Sequence, residues 1–167
     1  MNIVKEAYLF AKERHSGQKR PNGKSYFEHL KNIATILKEK KADDITISAA
    51  LLHDLVEDTN TTLAEIRKKF GKEISFLVDG MTKIKGNLDN TLEKFERYAK
   101  KDKRLLAIKL ADLYENLSQL NHEKYLSKEK MRLKYEGFVK IIKKLSKAKK
   151  EIKLADETLD KARKLLI

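Results

Sequence analysis

Residues 49–59 of the chain, AALLHDLVEDT, place one histidine and three carboxylates inside a run that is otherwise mostly alanine, leucine and valine. The four polar groups are His53, Asp54, Glu57 and Asp58. Burying a charged side chain without a partner costs a large amount of free energy. On a continuous helix, residues four apart in this stretch would lie one turn apart on the same face. The stretch therefore indicates a common partner for these side chains.

A divalent metal ion would supply that partner, because imidazole and carboxylate groups are both ligands for such ions. The alternative is an ordinary helix C-terminus with solvated acids and one core histidine. Acidic side chains at that end of a helix oppose the helix dipole, so this alternative leaves the three carboxylates unexplained. The metal site is the favoured interpretation.

Two more candidate ligands, His29 and Asp112, lie on other predicted helices. His29 falls on the apolar stripe of a helix that begins near Tyr26, where the alternative is an ordinary core histidine. Asp112 belongs to a narrow polar stripe on the otherwise apolar helix predicted at about 104–121. The other members of this stripe are Lys109, Asn116 and Gln119. The alternative here is that the stripe is the solvent-facing side of a core helix.

Together these groups predict a site of two imidazoles and two carboxylates contributed by three helices. Its ligands would be His29, His53, Asp54 and Asp112. Glu57 and Asp58 would then lie one turn beyond the metal and handle a proton. Metal-acidified water beside a carboxylate base is a standard arrangement for hydrolysing phosphate esters.

A basic loop at Gly17–Ser25, GQKRPNGKS, is a candidate for contacting phosphate groups. It is not a Walker motif, because five residues instead of four separate its glycines, no strand precedes it, and Pro21 removes a backbone donor. The side-chain candidates are Arg14, Lys19, Arg20 and Lys24. The alternative is an exposed basic loop without a ligand. His15 is a candidate only through its proximity to the loop, and His122 is predicted at the surface.

Apolar residues recur at spacings of three and four along almost the whole chain, which predicts an all-α fold. In the first half of the chain, helices are expected at about 2–15, from Tyr26 onward, at about 45–56, and from a capping box at Thr62 to Gly71. In the second half, helices are expected at about 72–85, from Asn90 onward, at about 104–121, and from Ser127 to about 149, followed by a last amphipathic segment. Residues 1–167 are expected to form a single-domain helical bundle. Its motif-bearing core would span about 3–121 and its basic helical C-terminal part about 127–167.

The net charge of +13 is carried largely by the lysine-rich final third of the chain. A solvated helix face is one explanation, and binding of nucleic acid or an anionic small molecule is the other. Nucleic acid is disfavoured, because only 7% of residues are aromatic and they are not interleaved with basic residues as base stacking requires. No apolar run reaches the roughly 18 residues of a membrane span. The absence of cysteine and of a secretion signal predicts a cytoplasmic protein.

Several separated motifs, in a fixed order, resemble the HD-type hydrolase domain of the Rel/Spo family. They are H-x-G-Q-x-R at His15–Arg20, G-x-x-Y-x-x-H at Gly23–His29, A-A-L-L-H-D-x-V-E-D-T at Ala49–Thr59, F-G at Phe70–Gly71, D-G-M-T-K at Asp79–Lys83 and I-K-L-A-D…N at Ile108–Asn116. The resemblance covers about residues 3–121. Enzymes of this family remove the 3′-pyrophosphate from the alarmones ppGpp and pppGpp, so the resemblance implies a stand-alone small alarmone hydrolase.

The resemblance implies an all-helical fold that holds a Mn²⁺ ion. The implied ligands are His29, His53, Asp54 and Asp112. Glu57 and Asp58 would activate and position the attacking water, and their presence implies a competent hydrolase because synthetase-only relatives have lost this pair. Arg20 matches an arginine of the family's basic loop, and Asn116 matches an asparagine that contacts the nucleotide. Lys83 aligns with a retained lysine to which no role is assigned.

Two positions depart from the family pattern. Pro21 replaces a lysine that lies against the base, and Leu113 replaces a basic residue. Neither position belongs to the predicted ligands or the acidic pair, so pyrophosphate release is the expected reaction. Because Pro21 lies where the family has a lysine against the base, the resemblance implies specificity for guanine less strongly than it implies the reaction. The alternatives are the same site acting on an adenine alarmone or NADPH, a non-catalytic alarmone sensor, and a basic nucleic-acid binder. No oligomeric state is predicted.

Overall fold

The computed structural model describes residues 2–118, 128–147 and 149–165, which form nine helices. They are α1 (Ile3–Arg14), α2 (Tyr26–Glu39), α3 (Asp44–Leu52), α4 (Leu55–Asp58), α5 (Leu63–Met81), α6 (Leu88–Lys101), α7 (Arg104–Ser118), α8 (Lys128–Leu145) and α9 (Lys149–Leu165). Apart from an isolated bridge between Lys19 and Ser25, these ranges contain no β-structure. The all-α prediction is confirmed. None of the described helices is long and apolar enough to cross a membrane.

α3 lies in the middle of the bundle because its surface is apolar nearly all round, as expected of a fully buried helix. Residues 49–52 are at most 1% exposed, and α3 packs against α1, α2, α5 and α7. α7 is its counterpart on the C-terminal side and contacts α2, α3, α5, α6, α8 and α9. Polar groups at the end of α3 and along one side of α7 are therefore directed into the interior.

The basic C-terminal helices pack their apolar faces on this core. α8 contacts α6 and α7, and its buried residues include Tyr135, Phe138 and Ile142. A Cβ at Gly137 would come within 2.5 Å of a Leu92 methyl group, so α8 and α6 approach closely at this glycine. The lysines of the opposite face are exposed, as shown by Lys140. The solvated-face explanation therefore holds for that side of α8.

Local sequence signals locate several helix ends correctly. Thr62 caps α5 by accepting a hydrogen bond from the backbone of Glu65, and Gly71, with φ of 87°, interrupts α5 where a helix end was predicted. The cap predicted at Asn90 is wrong, because the side chain of Asn87 accepts from the Asn90 amide and begins α6. Three predicted features lie outside the described residues, namely Gln119, His122 and the cap at Ser127.

The helix predicted at about 45–56 is interrupted at His53 and Asp54, which form the turn between α3 and α4. The His53 imidazole lies 2.7 Å from the carbonyl oxygen of Ala50. In a continuous helix that carbonyl would accept from the Asp54 amide, so the side chain competes with the backbone for it. Helical hydrogen bonding resumes directly after the turn, since the Asp58 amide donates to the Asp54 carbonyl at 3.0 Å.

Arg104 joins the start of α3, the link between α6 and α7, and the part of α5 that follows its break at Gly71. Its guanidinium lies 2.6 Å from Asp102, 3.1 Å from Glu73 and 3.6 Å from Asp43. Burial raises the pKa of Asp102, but hydrogen bonds from Arg104 outweigh it and hold the pKa below its usual value. The pKa of Asp43 is lowered in the same way, by hydrogen bonds from Thr46 and by Arg104 against the opposing effect of burial.

Replacing Arg104 with methionine should lower the free energy of unfolding by about 1–2 kcal/mol at pH 7, because its hydrogen bonds to Asp102 and Glu73 and its ion pair with Asp43 are lost. A carboxylate with a lowered folded-state pKa stabilises the fold above its unfolded value near 4 and loses that contribution as pH falls through the lower folded value. The difference between wild type and Arg104→Met should therefore shrink as the pH falls below about 4. Urea unfolding at a series of pH values measures it, with exposed Arg67→Met as the control. Equal losses for both variants would contradict the expectation.

Candidate metal and phosphate site

Three predicted ligands converge in the interior. His29 comes from α2, and His53 and Asp54 come from the turn between α3 and α4. One potential ligand atom from each lies within 4.8 Å of the other two. All three side chains are buried, at 3%, 2% and 6% exposed. A buried cluster of this kind is unstable unless a cation or a proton compensates its charge.

The His53 ring is oriented so that one nitrogen faces the cluster. Its Nδ1 lies 2.7 Å from the Ala50 carbonyl oxygen and must therefore carry the proton. Its Nε2 lies 3.2 Å from Asp54 Oδ1, yet it is buried and has no hydrogen-bond partner in the part of the chain that the structure describes. With Nδ1 held by the carbonyl, Nε2 is the ring nitrogen left to bind a metal ion.

The His29 ring is oriented by Glu115, a residue of α7 that the sequence analysis did not select. Its Nδ1 contacts the Glu115 carboxylate, and its Nε2 lies 3.7 Å from Asp54 Oδ2 and 3.5 Å from Asp112 Oδ1. A carboxylate behind a histidine fixes the tautomer of a metal-binding ring and raises its basicity. Glu115 is three residues after Asp112 on a largely apolar helix, and this spacing was the available sequence signal.

Asp112 faces the same cluster from α7. Its Oδ1 lies 4.0 Å from His53 Nε2 and accepts a hydrogen bond from Asn116 at 2.6 Å, while its Oδ2 lies 3.0 Å from Lys109 Nζ. Asp112 is 5% exposed and Lys109 is 1% exposed. The alternative interpretation of this stripe as a solvent-facing surface is therefore wrong for Lys109 and Asp112, and Asn116 is half-buried.

The electrostatics of the cluster favour a bound cation. Burial alone would lower the pKa of His29, but Asp112, Glu115 and Asp54 outweigh it and raise the pKa to about 9. Burial alone would raise the pKa of Asp54, but His53, Lys83 and His29 lower it to about 2. Without metal, the carboxylates thus retain a proton on an imidazole, and a divalent cation would take the place of that proton. These residues fit such an ion in ligand type and in the orientation of both rings.

The two residues of the acidic pair, Glu57 and Asp58, contact different partners. Glu57 accepts from the Lys83 backbone amide at 2.8 Å and from the Lys83 ammonium at 2.7 Å. Asp58 lies 2.5 Å from the Tyr26 hydroxyl, which also lies 2.8 Å from Asp54 Oδ2. Burial, followed by these carboxylates, raises the pKa of Tyr26, so its hydroxyl stays protonated and bridges Asp58 to the ligand cluster.

Of the basic side chains in the loop, only that of Arg20 is directed toward the ligand cluster. Arg20 points inward and donates to Glu115 at 3.1 Å and to Asn116 at 2.5 Å. Lys19 and Lys24 are exposed, and Lys24 borders a small cavity of about 30 Å³ behind His29.

Arg14 lies apart from these residues. Its guanidinium pairs with Glu65 at the start of α5, at 2.5 Å, and it is not among the residues that line either cavity. Its predicted contact with phosphate therefore receives no support from its position.

His15 is buried beneath the loop. Its ring stacks on Tyr26 with centroids 4.7 Å apart, and its Nδ1 lies 2.6 Å from Gln18. Gln18 in turn donates to the backbone carbonyl of Asp58 at 2.9 Å. His15 therefore supports Tyr26 and the end of α4 instead of facing a ligand.

A cavity of about 330 Å³ opens onto the cluster. Its polar lining comes from Arg20, Tyr26, His29, Asp54, Lys83, Lys109, Asp112, Asn116, Lys134 and Tyr135. Pro21, Met81 and Met131 complete the wall. Two carboxylates and one imidazole thus adjoin four basic side chains in one space, which is the composition expected of a site for a metal ion and a phosphorylated ligand.

Comparison with known families shows that residues 7–139 match the HD domain family. The chain belongs to this family. The match extends past the motifs into α8, so the helix that supplies Met131, Lys134 and Tyr135 is part of the HD domain. The motif resemblance itself reached only about residue 121, within the single domain expected for residues 1–167.

The chain is similar to segments of longer proteins. It is 40% identical over 141 residues to guanosine-3′,5′-bis(diphosphate) 3′-pyrophosphohydrolase of Aquifex aeolicus, covering 78% of this chain and 20% of that protein. It is 40% identical over 127 residues to GTP pyrophosphokinase rsh of Brucella ovis, covering 71% of this chain and 17% of that protein. The chain thus spans about a fifth of the length of the curated relatives it matches.

Solved structures match at the level of the whole HD domain. A metazoan orthologue of SpoT that hydrolyses ppGpp and plays a role in starvation responses superposes with a TM-score of 0.79 at 25% identity. That match covers 100% of this chain and 98% of the other. A protein of Listeria monocytogenes EGD-e superposes with a TM-score of 0.67 at 24% identity, over 83% of this chain and 98% of the other, and supports the fold.

Replacing Glu115 with alanine should weaken Mn²⁺ binding by about 10–100-fold, because the His29 ring loses the acceptor that orients it. Isothermal titration of the metal-free protein with Mn²⁺ measures this directly and requires no substrate. Glu39→Ala, an exposed carboxylate at the end of α2, is the matched control and should bind like wild type. Unchanged affinity in a folded Glu115→Ala protein would remove Glu115 from this role.

Proposed function

We propose that this protein is a divalent-metal-dependent hydrolase that removes the 3′-pyrophosphate of ppGpp and pppGpp and leaves GDP or GTP. The observation that carries the proposal is the continuous cavity that joins a buried cluster of metal-type ligands to four basic side chains. Hydrolysis of a phosphate ester needs both parts, since one activates water and the phosphoryl group and the other holds the anionic substrate.

The comparisons support this choice of substrate. The Aquifex aeolicus relative is named for the same reaction, and the metazoan structure that matches this chain from end to end belongs to a protein that hydrolyses ppGpp. The acidic pair that accompanies the ligands supports catalysis over simple binding, because a sensor would have no use for Glu57 and Asp58.

We assign His29, His53, Asp54 and Asp112 as ligands of a Mn²⁺ ion. When bound, the ion would supply Lewis acidity toward water and a phosphoryl oxygen. Asn116 and Lys109 hold the two oxygens of Asp112, and Glu115 holds the ring of His29. These contacts keep the ligand side chains in one arrangement before any substrate arrives, which limits the reorganisation needed during reaction.

In the proposed reaction, water adds to the phosphorus attached to ribose O3′, and the bond between that phosphorus and O3′ breaks. Pyrophosphate departs with the new oxygen, and O3′ receives a proton. Asp58 is the better placed of the acidic pair to take the proton of water, because both oxygens of Glu57 are engaged by Lys83. Glu57 in this scheme orients Lys83, whose side chain lines the cavity.

The nucleoside would lie toward the basic loop. Arg20 and Asn116 meet at 2.5 Å and border the cavity together, and Pro21 lies beside them. Arg20 would contact phosphate, and Pro21 would contribute an apolar surface next to the base. Lys19 and Lys24 are exposed nearby and would add a positive field at the entrance.

The purified protein should release pyrophosphate from ppGpp in the presence of Mn²⁺, stop in EDTA and recover when Mn²⁺ is restored. Asp54→Ala should abolish release, because it removes a carboxylate of the cluster. A coupled pyrophosphate assay measures both. Asp156→Ala, at an exposed ion pair on α9, is the control and should retain activity. Binding of ppGpp without release under any metal would contradict the proposal, as would full activity of Asp54→Ala.

Asp58→Asn should lower kcat by about 10²–10⁴-fold, the range expected when a general base is lost. Glu57→Gln should cost less, because its amide oxygen can still accept a hydrogen bond from Lys83. Steady-state kinetics on ppGpp compares the two variants at saturating Mn²⁺. A larger loss in Glu57→Gln than in Asp58→Asn would exchange these assignments.

A further inference from the structure

The four basic side chains that line the main cavity differ in how their charge is compensated. Three of them form ion pairs: Arg20 with Glu115 at 3.1 Å, Lys83 with Glu57 at 2.7 Å and Lys109 with Asp112 at 3.0 Å. Lys134 forms no ion pair with any of the residues that the structure describes. Its charge is therefore available to a ligand, whereas the other three are already engaged by the protein.

α8 directs Lys134 toward the cavity. Met131, Lys134 and Tyr135 all line the cavity, at the spacing of three and four residues that defines one face of a helix. The helix is held in this orientation on α7, because the Tyr135 hydroxyl donates to the Leu113 carbonyl at 3.1 Å. One turn later, the ring of Phe138 lies 4.5 Å from the Lys109 ammonium and is 1% exposed.

The surroundings of Lys134 disfavour an isolated charge. Burial, together with the nearby ammonium groups of Lys109 and Lys83, lowers the pKa of Lys134 to about 8. Asp112 and Asp54 act in the opposite direction but do not outweigh these effects. An anion brought close to Lys134 would relieve the repulsion and restore the charged form.

We propose that Lys134 forms a second anion subsite, which binds the 5′-diphosphate of the substrate while the 3′-diphosphate lies at the metal cluster. This inference rests on the proposed function, since it assigns the end of the nucleotide that is not cleaved. A nucleotide with two diphosphate groups needs cationic partners at two places, and the cavity of about 330 Å³ lies within the usual range for small-molecule sites. α8 is thereby a substrate-binding element of the domain.

Binding of GDP, which carries the 5′-diphosphate and has no 3′-diphosphate, tests the subsite without turnover. In isothermal titration of the Mn²⁺-loaded protein, Lys134→Met should weaken GDP binding by about 10–100-fold, the loss expected for a hydrogen bond between charged groups. The affinity for guanosine should not change. Lys134→Arg should retain most of the GDP affinity, and Lys140→Met, on the exposed face of α8, should match wild type.

Two results of this titration would overturn the subsite. One is a GDP affinity in Lys134→Met equal to that of wild type, and the other is an equal loss for GDP and guanosine, which would indicate general damage to the cavity. Thermal unfolding of each variant checks that the fold is retained. A wild-type protein that binds GDP no better than guanosine would also overturn it.

Kinetics separate this inference from the proposed function. Lys134→Met should raise KM for ppGpp about tenfold or more, leave kcat within about threefold, and not affect a guanosine 3′-diphosphate that lacks the 5′-phosphates. If wild type hydrolyses ppGpp and Lys134→Met has the same KM, only the subsite is wrong. If wild type releases no pyrophosphate but GDP binding depends on Lys134, the proposed reaction is wrong and the subsite stands.

Discussion

Three buried carboxylates surround a single imidazole, that of His29, and much of the domain is arranged to compensate them. Asp54, Asp112 and Glu115 are each no more than 6% exposed. Buried charges persist only where counter-charges and hydrogen bonds satisfy them, and here these come from Arg20 and from Lys109. Because the three acids lie at the end of α3 and on α7, this compensation fixes how α2, α3 and α7 meet.

Lys109 connects this cluster to the C-terminal helices. Its ammonium pairs with Asp112 and also lies over the ring of Phe138 on α8. A cation held between a carboxylate and an aromatic face is stabilised by both. Lys109 therefore links the cluster to α8 by direct contacts, and α8 lies within the part of the chain that matches the family. α8 is part of the site's wall as well as a cover for the core.

The sequence was sufficient for the helical fold and for selecting the candidate ligands that the structure brings together, because both depend on local spacing. His29, His53, Asp54 and Asp112 could be selected as polar residues on apolar faces, and the structure brings them together. The partners that hold them depend on tertiary contacts. Glu115 and Lys134 were missed because each is unremarkable in a chain with 38% charged residues. Tertiary contacts also explain why Arg14 was selected wrongly as a phosphate contact. It is close to the basic loop in sequence, but in the fold its guanidinium pairs with Glu65 of α5.

The two departures from the family pattern fall in different environments, and only one of them can act on a ligand directly. The Leu113 side chain is fully buried and does not line the cavity, so its effect is on core packing. Pro21 does line the cavity, next to Arg20. A proline side chain offers apolar contact and no hydrogen-bond donor, so it can pack against a base but cannot read its polar edge. Polar contacts to a base would then have to come from other residues of the same wall, and those with hydrogen-bonding side chains include Asn116 on α7 and Tyr135 on α8. α8, which the motifs did not reach, therefore supplies part of the wall on which base discrimination would depend.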